Sequence, residues 1–450
     1  MTEERMLSSD AARVLGARRI GPDAAFHGCA IDSRTVRPGQ LFAALAGEHS
    51  DGHDHVAAAV AAGAAVVLVS RQADYGVPTL VVDDVRNAMA ALARHQRRSL
   101  SPRVVGITGS NGKTTVKELV GAIASGDAPA LVTSGNLNND LGLPMTLLAL
   151  APEHRYAVLE MGANHTGEIA ALASIAAPHV GLITHCGPAH LEGFGSIEGV
   201  AHAKGEMISA LPADGVAVLN ADDQFFGLWR DLAGERKVLS FGLQNRADLS
   251  AQWSATTTGL ELTVESPAGV LRIRSALLGR HNVLNLLAAT AAGIALGIEP
   301  DIIVRGISTV QPVPGRMQPL MAASGGLVIN DSYNANPASL RAAVDVLQDQ
   351  PGEHVVVLGD MAELGCDARE LHREAGEYIR RAGVQRLLTI GSLSSAAAEA
   401  FGEGGRHFNE LQDLTGFLST GLNARQTVLV KGSRSMGMER VVQALTSAGN

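Results

Sequence analysis

Apolar, β-branched runs alternate with Ala- and Leu-rich stretches along most of the chain, the pattern of parallel α/β sheets whose strands are covered on both faces. The first example is residues 56–69, which read as a helix ending near Gly63 and then a buried strand over 64–69. A basic stretch closed by proline, 94–102, ends this first unit. A second unit opens with a strand at 104–108 and continues through strands at 156–160, 180–184 and 215–220. Between Leu260 and Arg274 apolar and polar residues alternate around a Ser-Pro-Ala-Gly turn, which predicts an antiparallel hairpin. A helix over 282–296 follows, closed by Gly297, and then a linker at 311–316 with two prolines and a glycine. Beyond it strands at 327–331, 354–359, 386–391 and 427–431 alternate with helices. The expected architecture is therefore three α/β domains. They are a small N-terminal domain (1–101), a central P-loop-type ATPase domain with a mostly parallel sheet (102–313), and a Rossmann-like C-terminal domain (314–450).

Composition narrows the function. The 450 residues are 46% hydrophobic and 18% charged, so large cores can form and a disordered scaffold is excluded. The 50 glycines follow no three-residue period, which excludes collagen. Lys plus Arg is 36 against 45 Asp plus Glu, a net charge of -9, which argues against nucleic acid or an anionic membrane as partner. The N-terminus lacks the apolar core of a signal peptide, and the longest apolar run, 56–69, is too short to cross a bilayer. Three cysteines without metal-ligand spacing fit a reduced, cytoplasmic protein. A monomer is the default expectation.

The strongest local signal is Thr108-Gly-Ser-Asn-Gly-Lys-Thr-Thr115, between the strand at 104–108 and a helix. Gly109 and Gly112 let the backbone N–H groups of Ser110, Asn111 and their neighbours close around phosphate oxygens, and the helix N-terminus favours anions. Lys113 can reach the β- and γ-phosphates and the Thr114 hydroxyl can ligate Mg²⁺. The spacing is tighter than the Walker form, which argues against a P-loop motor; a plain βα turn is the bland alternative. Metal ligands belong at the C-terminal ends of neighbouring strands. Glu160 ends one such strand and His190 follows another, although such residues also serve as solvated or capping groups.

These stretches resemble the Mur ligase family, the ATP-dependent amide-forming enzymes of peptidoglycan precursor synthesis. The resemblance spans nearly the whole chain: Asp32-Ser-Arg34, Asp51-Gly-His53, the phosphate loop, Gly135-Asn-Leu-Asn-Asn-Asp140, Glu160-Met-Gly162, His190-Leu-Glu-Gly-Phe-Gly195, Lys204, Gly279-Arg-His-Asn282, Gly315-Arg316, Asp331-Ser-Tyr-Asn-Ala-Asn-Pro337 and Val430-Lys-Gly-Ser-Arg434. It implies that Thr108 to Thr114 hold ATP, and that Glu160, His190 and an N-carbamoylated Lys204 join Thr114 in holding magnesium, in two ions. Unmodified, Lys204 would be an ordinary exposed helix lysine. The resemblance also assigns Asn282 to adenine, with a helix N-cap as its plainer role, and carries Arg316 and Asp331 back to ATP. Ser33, Arg34, Gly47, Glu48 and His49 fall in the region that holds the UDP end. Asn136, Asn138 and Asn139 face the same substrate, and Tyr333, Asn334 and Asn336 lie on the acceptor side. The stretch 431–434 is placed no better than near the acceptor, with a strand-end loop as the alternative. His185 stands where members of the branch described next usually carry Asn.

The Asp-Ser-Tyr-Asn-Ala-Asn-Pro stretch resembles the branch that joins D-alanyl-D-alanine to UDP-N-acetylmuramoyl-tripeptide (UDP-MurNAc-tripeptide). A sibling ligase adding one amino acid, or a folylpolyglutamate synthase, is the alternative enzyme. A catalytically silent nucleotide- or UDP-sugar-binding module is the alternative of another class, and retention of Lys113, Glu160, His190 and Lys204 together counts against it.

Overall fold

The computed structural model describes residues 6–446 apart from 48–49, 189–190, 257–258 and 351. Each expected unit is built on its own sheet. The first carries five strands, in the order Arg18–Ile20, Thr79–Val81, Val66–Val69, Leu41–Ala43, Cys29–Ala30, parallel except for the first pair. The helix Val85–Leu100 closes this unit, and its Asp84 cap accepts from the Asn87 N–H at 2.9 Å.

The middle sheet is fully parallel, in the order Lys237–Phe241, Val216–Asn220, Val180–Ile183, Arg103–Thr108, Tyr156–Glu160, Ala130–Val132. Chain order reverses on either side of Arg103–Thr108, which opens a ligand crevice at the C-terminal end of that strand. The sequence pattern found four of these strands and missed Ala130–Val132 and Lys237–Phe241. Ala130–Val132 is a short edge strand without a fully buried residue, so its apolar signal is weak. The predicted hairpin is present as Gly259–Ser266 and Gly269–Ser275, and Ser250–Thr256 adds a third antiparallel strand.

The third sheet runs Gln318–Met321, Leu327–Asp331, Gln426–Lys431, Glu353–Gly359, Arg386–Ile390, Gly405–Phe408, parallel except for its first pair. Its two outer strands were missed, because both are only four residues long and largely outside the core. Cores lie on both faces of the middle sheet and of the third. The core on one face of the middle sheet runs on into the first unit, through Leu80, Leu92, Leu143 and Leu159. No helix among the described residues is long and apolar enough to cross a membrane.

Candidate active site

A cavity of about 980 Å³ opens where the three units meet. Its floor is the phosphate loop. Gly109 and Gly112 take φ of +147° and +83°, conformations that L-residues rarely adopt. A Cβ would lie 1.9 Å from Thr184 Oγ1 at Gly109 and 2.4 Å from Asn285 Oδ1 at Gly112. Neighbouring backbone pins the loop from one side. Thr184 Oγ1 donates to the Asn111 carbonyl (2.5 Å), the Ser110 N–H to the His185 carbonyl (2.7 Å), and Ser110 Oγ to the Gly187 carbonyl (3.0 Å). Gly112 caps the helix Lys113–Asp127 without any side-chain hydrogen bond, so its first N–H groups are left for an anion. Lys113 Nζ donates to the Gly109 carbonyl at 2.6 Å. Burial pushes its pKa below the usual lysine value, with Glu160 opposing and Arg316 reinforcing. Thr108 Oγ1 is buried and finds no hydrogen-bond partner among the described residues.

Glu160 ends its strand 3% exposed. Its Oε2 accepts from Thr114 Oγ1 (2.9 Å) and its Oε1 from Asn138 Nδ2 (2.8 Å). This buried carboxylate beside a hydroxyl at the mouth of the phosphate loop is a hard-oxygen donor pair that suits Mg²⁺. Lys204, on the helix Ile197–Ser209, is not an exposed helix lysine but 2% exposed. Its Nζ has no carboxylate partner among the described residues and lies 5.4 Å from the Phe194 ring centroid. Burial, reinforced by Lys113, lowers its pKa to about 7, so the neutral amine is accessible at ordinary pH. His190, the remaining expected ligand, lies outside the described residues, as do Glu48 and His49.

The third unit closes the cavity from the other side. Arg316 stacks on Tyr333, its guanidinium carbon 4.3 Å from the ring centroid, with Arg434 at 5.4 Å from the same ring. Asp331 pairs with the buried Lys431, and its Oδ1 accepts from the Met317 N–H at 3.1 Å. Lys431 also donates to the Asn334 carbonyl at 2.9 Å. Asn336 starts the helix Pro337–Gln348 with a reciprocal capping box with Ser339, and its Nδ2 donates to Asn111 Oδ1 at 3.1 Å, tying the third unit to the phosphate loop.

Most expected site residues meet here. Ser110, Asn111, Gly112, Lys113, Thr114 and Glu160 line the cavity with Asn136, Asn138, Asn139 and Asn282, and from the third unit come Arg316, Asp331, Tyr333, Asn334 and Asn336. Thr108, Gly109 and Lys204 do not line it, and Thr108 and Lys204 are buried. Ser33, Arg34 and Gly47 do not line it. Arg34 is forked onto Asp32, its Nη2 2.6 Å from Oδ2, on an exposed turn, and the Gly47 N–H donates to the Ser50 carbonyl.

The plainer role offered for Asn282 is excluded. Asn282 is not the helix N-cap, because the helix begins at Arg280 and Gly279 caps it. The Asn282 side chain instead donates to the Leu278 carbonyl and accepts from Asn285 Nδ2, both at 2.8 Å. Arg86, His281 and Asn285 also line the cavity and were given no role, and His185 and Lys431, noted from the sequence without a firm role, line it too. Asn285 and His281 sit within one helical turn of Asn282, a spacing that could have flagged them. His185 Nδ1 is held 2.9 Å from Oδ2 of the buried Asp223, a partner far away in sequence.

Sequence and structure comparisons bear on the whole chain. Residues 25–97 match the model of the "Mur ligase family, catalytic domain", 107–293 the "Mur ligase middle domain" and 315–434 the "Mur ligase, glutamate ligase domain". UDP-N-acetylmuramoyl-tripeptide--D-alanyl-D-alanine ligase of Escherichia coli K12 is 44% identical over 440 residues, 97% of each chain. A crystal structure of MurF from Acinetobacter baumannii superposes with a TM-score of 0.91 at 35% identity, over 98% of this chain and 99% of that one. MurF from Thermotoga maritima in complex with ADP gives 0.81 at 28% identity, over 93% and 96%. With three family models in chain order and relatives matched end to end, the chain belongs to the Mur ligase family.

Proposed function

We infer that the chain is an ATP-dependent ligase that joins D-alanyl-D-alanine to UDP-MurNAc-tripeptide through an acyl phosphate. The observation that carries this reading is the meeting of the phosphate loop, Glu160 and third-unit cations in one cavity, in a chain 44% identical to a ligase of that name. The carboxylate of the tripeptide attacks the γ-phosphorus of ATP. The P–O bond to ADP breaks and an acyl phosphate forms. The free amine of the dipeptide then attacks the acyl carbon, losing a proton as phosphate departs and the amide forms.

The protein mainly positions three substrates. The loop from Thr108 to Thr114 holds the phosphates, with Lys113 and Arg316 placed to meet the negative charge that develops on the transferred group. Asn282 and its partner Asn285 offer amide donors and acceptors to the base. Asp331 fixes Lys431 in the third-unit wall, where Tyr333, Asn334 and Asn336 face the acceptor. Asn136, Asn138 and Asn139 face the peptide arm, and Ser33, Arg34, Gly47, Glu48 and His49 serve the UDP end.

Magnesium fits the described donors Thr114 and Glu160, which would hold it together with His190, and when bound it would neutralise phosphate charge. Lys204 would join them if its neutral amine took up CO₂ and released a proton, which would replace a repelling cation by an anionic oxygen donor. Residues 1–101, 102–313 and 314–450 act as the units for the UDP nucleotide, ATP and the acceptor, in the cytoplasm. The test is an assay with UDP-MurNAc-tripeptide, D-alanyl-D-alanine and Mg-ATP. ADP should form only with both co-substrates present, and ADP release that ignores the dipeptide overturns the reading.

A further inference from the structure

Arg86 is the one residue that the first unit gives to the cavity among the described residues, and nothing in the proposed chemistry uses it. It stands in the first turn of the helix Val85–Leu100, next to the capping Asp84. A cation there opposes the helix dipole, which favours Arg and Lys in the last turn, where this helix has Arg97 and Arg98. Local helix stability therefore does not explain Arg86.

Its guanidinium crosses to the middle unit and pairs with Asp140. Both side chains stay about half exposed, 52% and 54%, so the pair is weak and open to exchange. Asp140 belongs to the same loop as Asn138, which binds Glu160 at 2.8 Å. Around this wall the cavity offers the neutral amides of Asn136, Asn138 and Asn139 and the carboxylates of Asp140 and Glu168. Lys113 and Arg316 belong to the phosphate side, and Lys431 is committed to Asp331. An anion arriving along the asparagine wall therefore finds Arg86 as its cation, in a planar fork that suits a carboxylate.

We propose that Arg86 binds a free carboxylate on the peptide arm of the nucleotide substrate, distinct from the reacting one, and that Asp140 occupies the guanidinium until the arm arrives. This rests on the ligase reading, and it names the arm as one that carries at least two carboxylates.

The two partners give the test its sign. Binding of UDP-MurNAc-tripeptide to the full chain is measured by titration calorimetry for the wild type, Arg86→Ala, Arg86→Lys and Asp140→Asn, with ATP binding alongside. Arg86→Ala should weaken tripeptide-nucleotide binding about tenfold or more, as expected when a charged hydrogen-bond donor is lost. Arg86→Lys should fall in between, and ATP affinity should stay within about twofold. Asp140→Asn, which frees the guanidinium, should leave binding equal or tighter. If the pair merely docks the two units, Arg86→Ala and Asp140→Asn both weaken binding, and the proposal is overturned. It is equally overturned if Arg86→Ala changes nothing, or weakens ATP and the tripeptide nucleotide alike. Failure of the wild type to make ADP would sink the ligase reading instead, while these affinities would still decide the role of Arg86.

Discussion

The middle and third units each bury a lysine of the candidate site, and they treat its charge in opposite ways. Lys431 is 1% exposed but carries its counter-ion, Asp331, and donates to the Asn334 carbonyl. Lys204 is 2% exposed and has no carboxylate partner among the described residues; burial lowers its pKa to about 7. A buried cation with a partner is a structural tie, whereas one without a partner is a cost that a fold keeps for a reason. The same distinction separates Lys113, desolvated and resting on a carbonyl where phosphate is expected, from Lys117, buried and tied to Glu118 and the Thr133 carbonyl.

The largest expected effect comes from removing a charge that waits for substrate. Lys113→Ala should lower the rate of ADP formation by about a thousandfold or more, on the scale of losing a preorganised electrostatic group, with an unchanged circular dichroism spectrum. Retained turnover would move the phosphate site away from this loop.

The paired and unpaired lysines should then respond oppositely to one substitution. Lys431→Met strands Asp331 in the interior and should cost about 3–5 kcal/mol in denaturant unfolding. Lys204→Met removes a buried cation that has no carboxylate partner among the described residues, and should stabilise the metal-free protein by about 1–4 kcal/mol while abolishing turnover. The pH dependence fixes the sign. With the folded pKa lowered to about 7 from 10.5, the unfolded chain holds a proton in that window that the folded chain lacks. The cost of Lys204 is thus fully present below pH 7 and fades as pH rises toward 10.5, and the advantage of Lys204→Met should shrink along the same course. An advantage that does not change with pH would mean that Lys204 is not desolvated.

The smallest effect concerns the tie between the units. Asn336→Ala removes the capping box and the bond to Asn111, and should cost about 1 kcal/mol. Its KM for ATP should rise by severalfold, and a stability loss without that rise would make Asn336 a cap alone.

What the sequence could reveal followed from local pattern. The buried strands announced themselves because both faces are covered, and the phosphate loop did so because glycine, lysine and threonine stand between a strand and a helix. Edge strands such as Gln318–Met321 and Gly405–Phe408 were missed because half-exposed strands lose the apolar signal. The N-cap alternative for Asn282 failed because a helix start one turn earlier, at Gly279, leaves the same composition. Arg86 stayed hidden, and His185 and Lys431 were noted without a partner, because Asp140, Asp223 and Asp331 are brought to them by tertiary structure. That Lys204 is buried rather than exposed could be learned from packing alone.

Amide formation through an acyl phosphate passes one oxygen of the substrate carboxylate to the phosphate that leaves. UDP-MurNAc-tripeptide labelled with ¹⁸O in its reacting carboxylate tests it directly, by mass spectrometry of the phosphate released on full turnover with D-alanyl-D-alanine and Mg-ATP. One ¹⁸O atom per phosphate is predicted, carried over when the acyl C–O bond breaks. Unlabelled phosphate formed in step with the product would contradict the account.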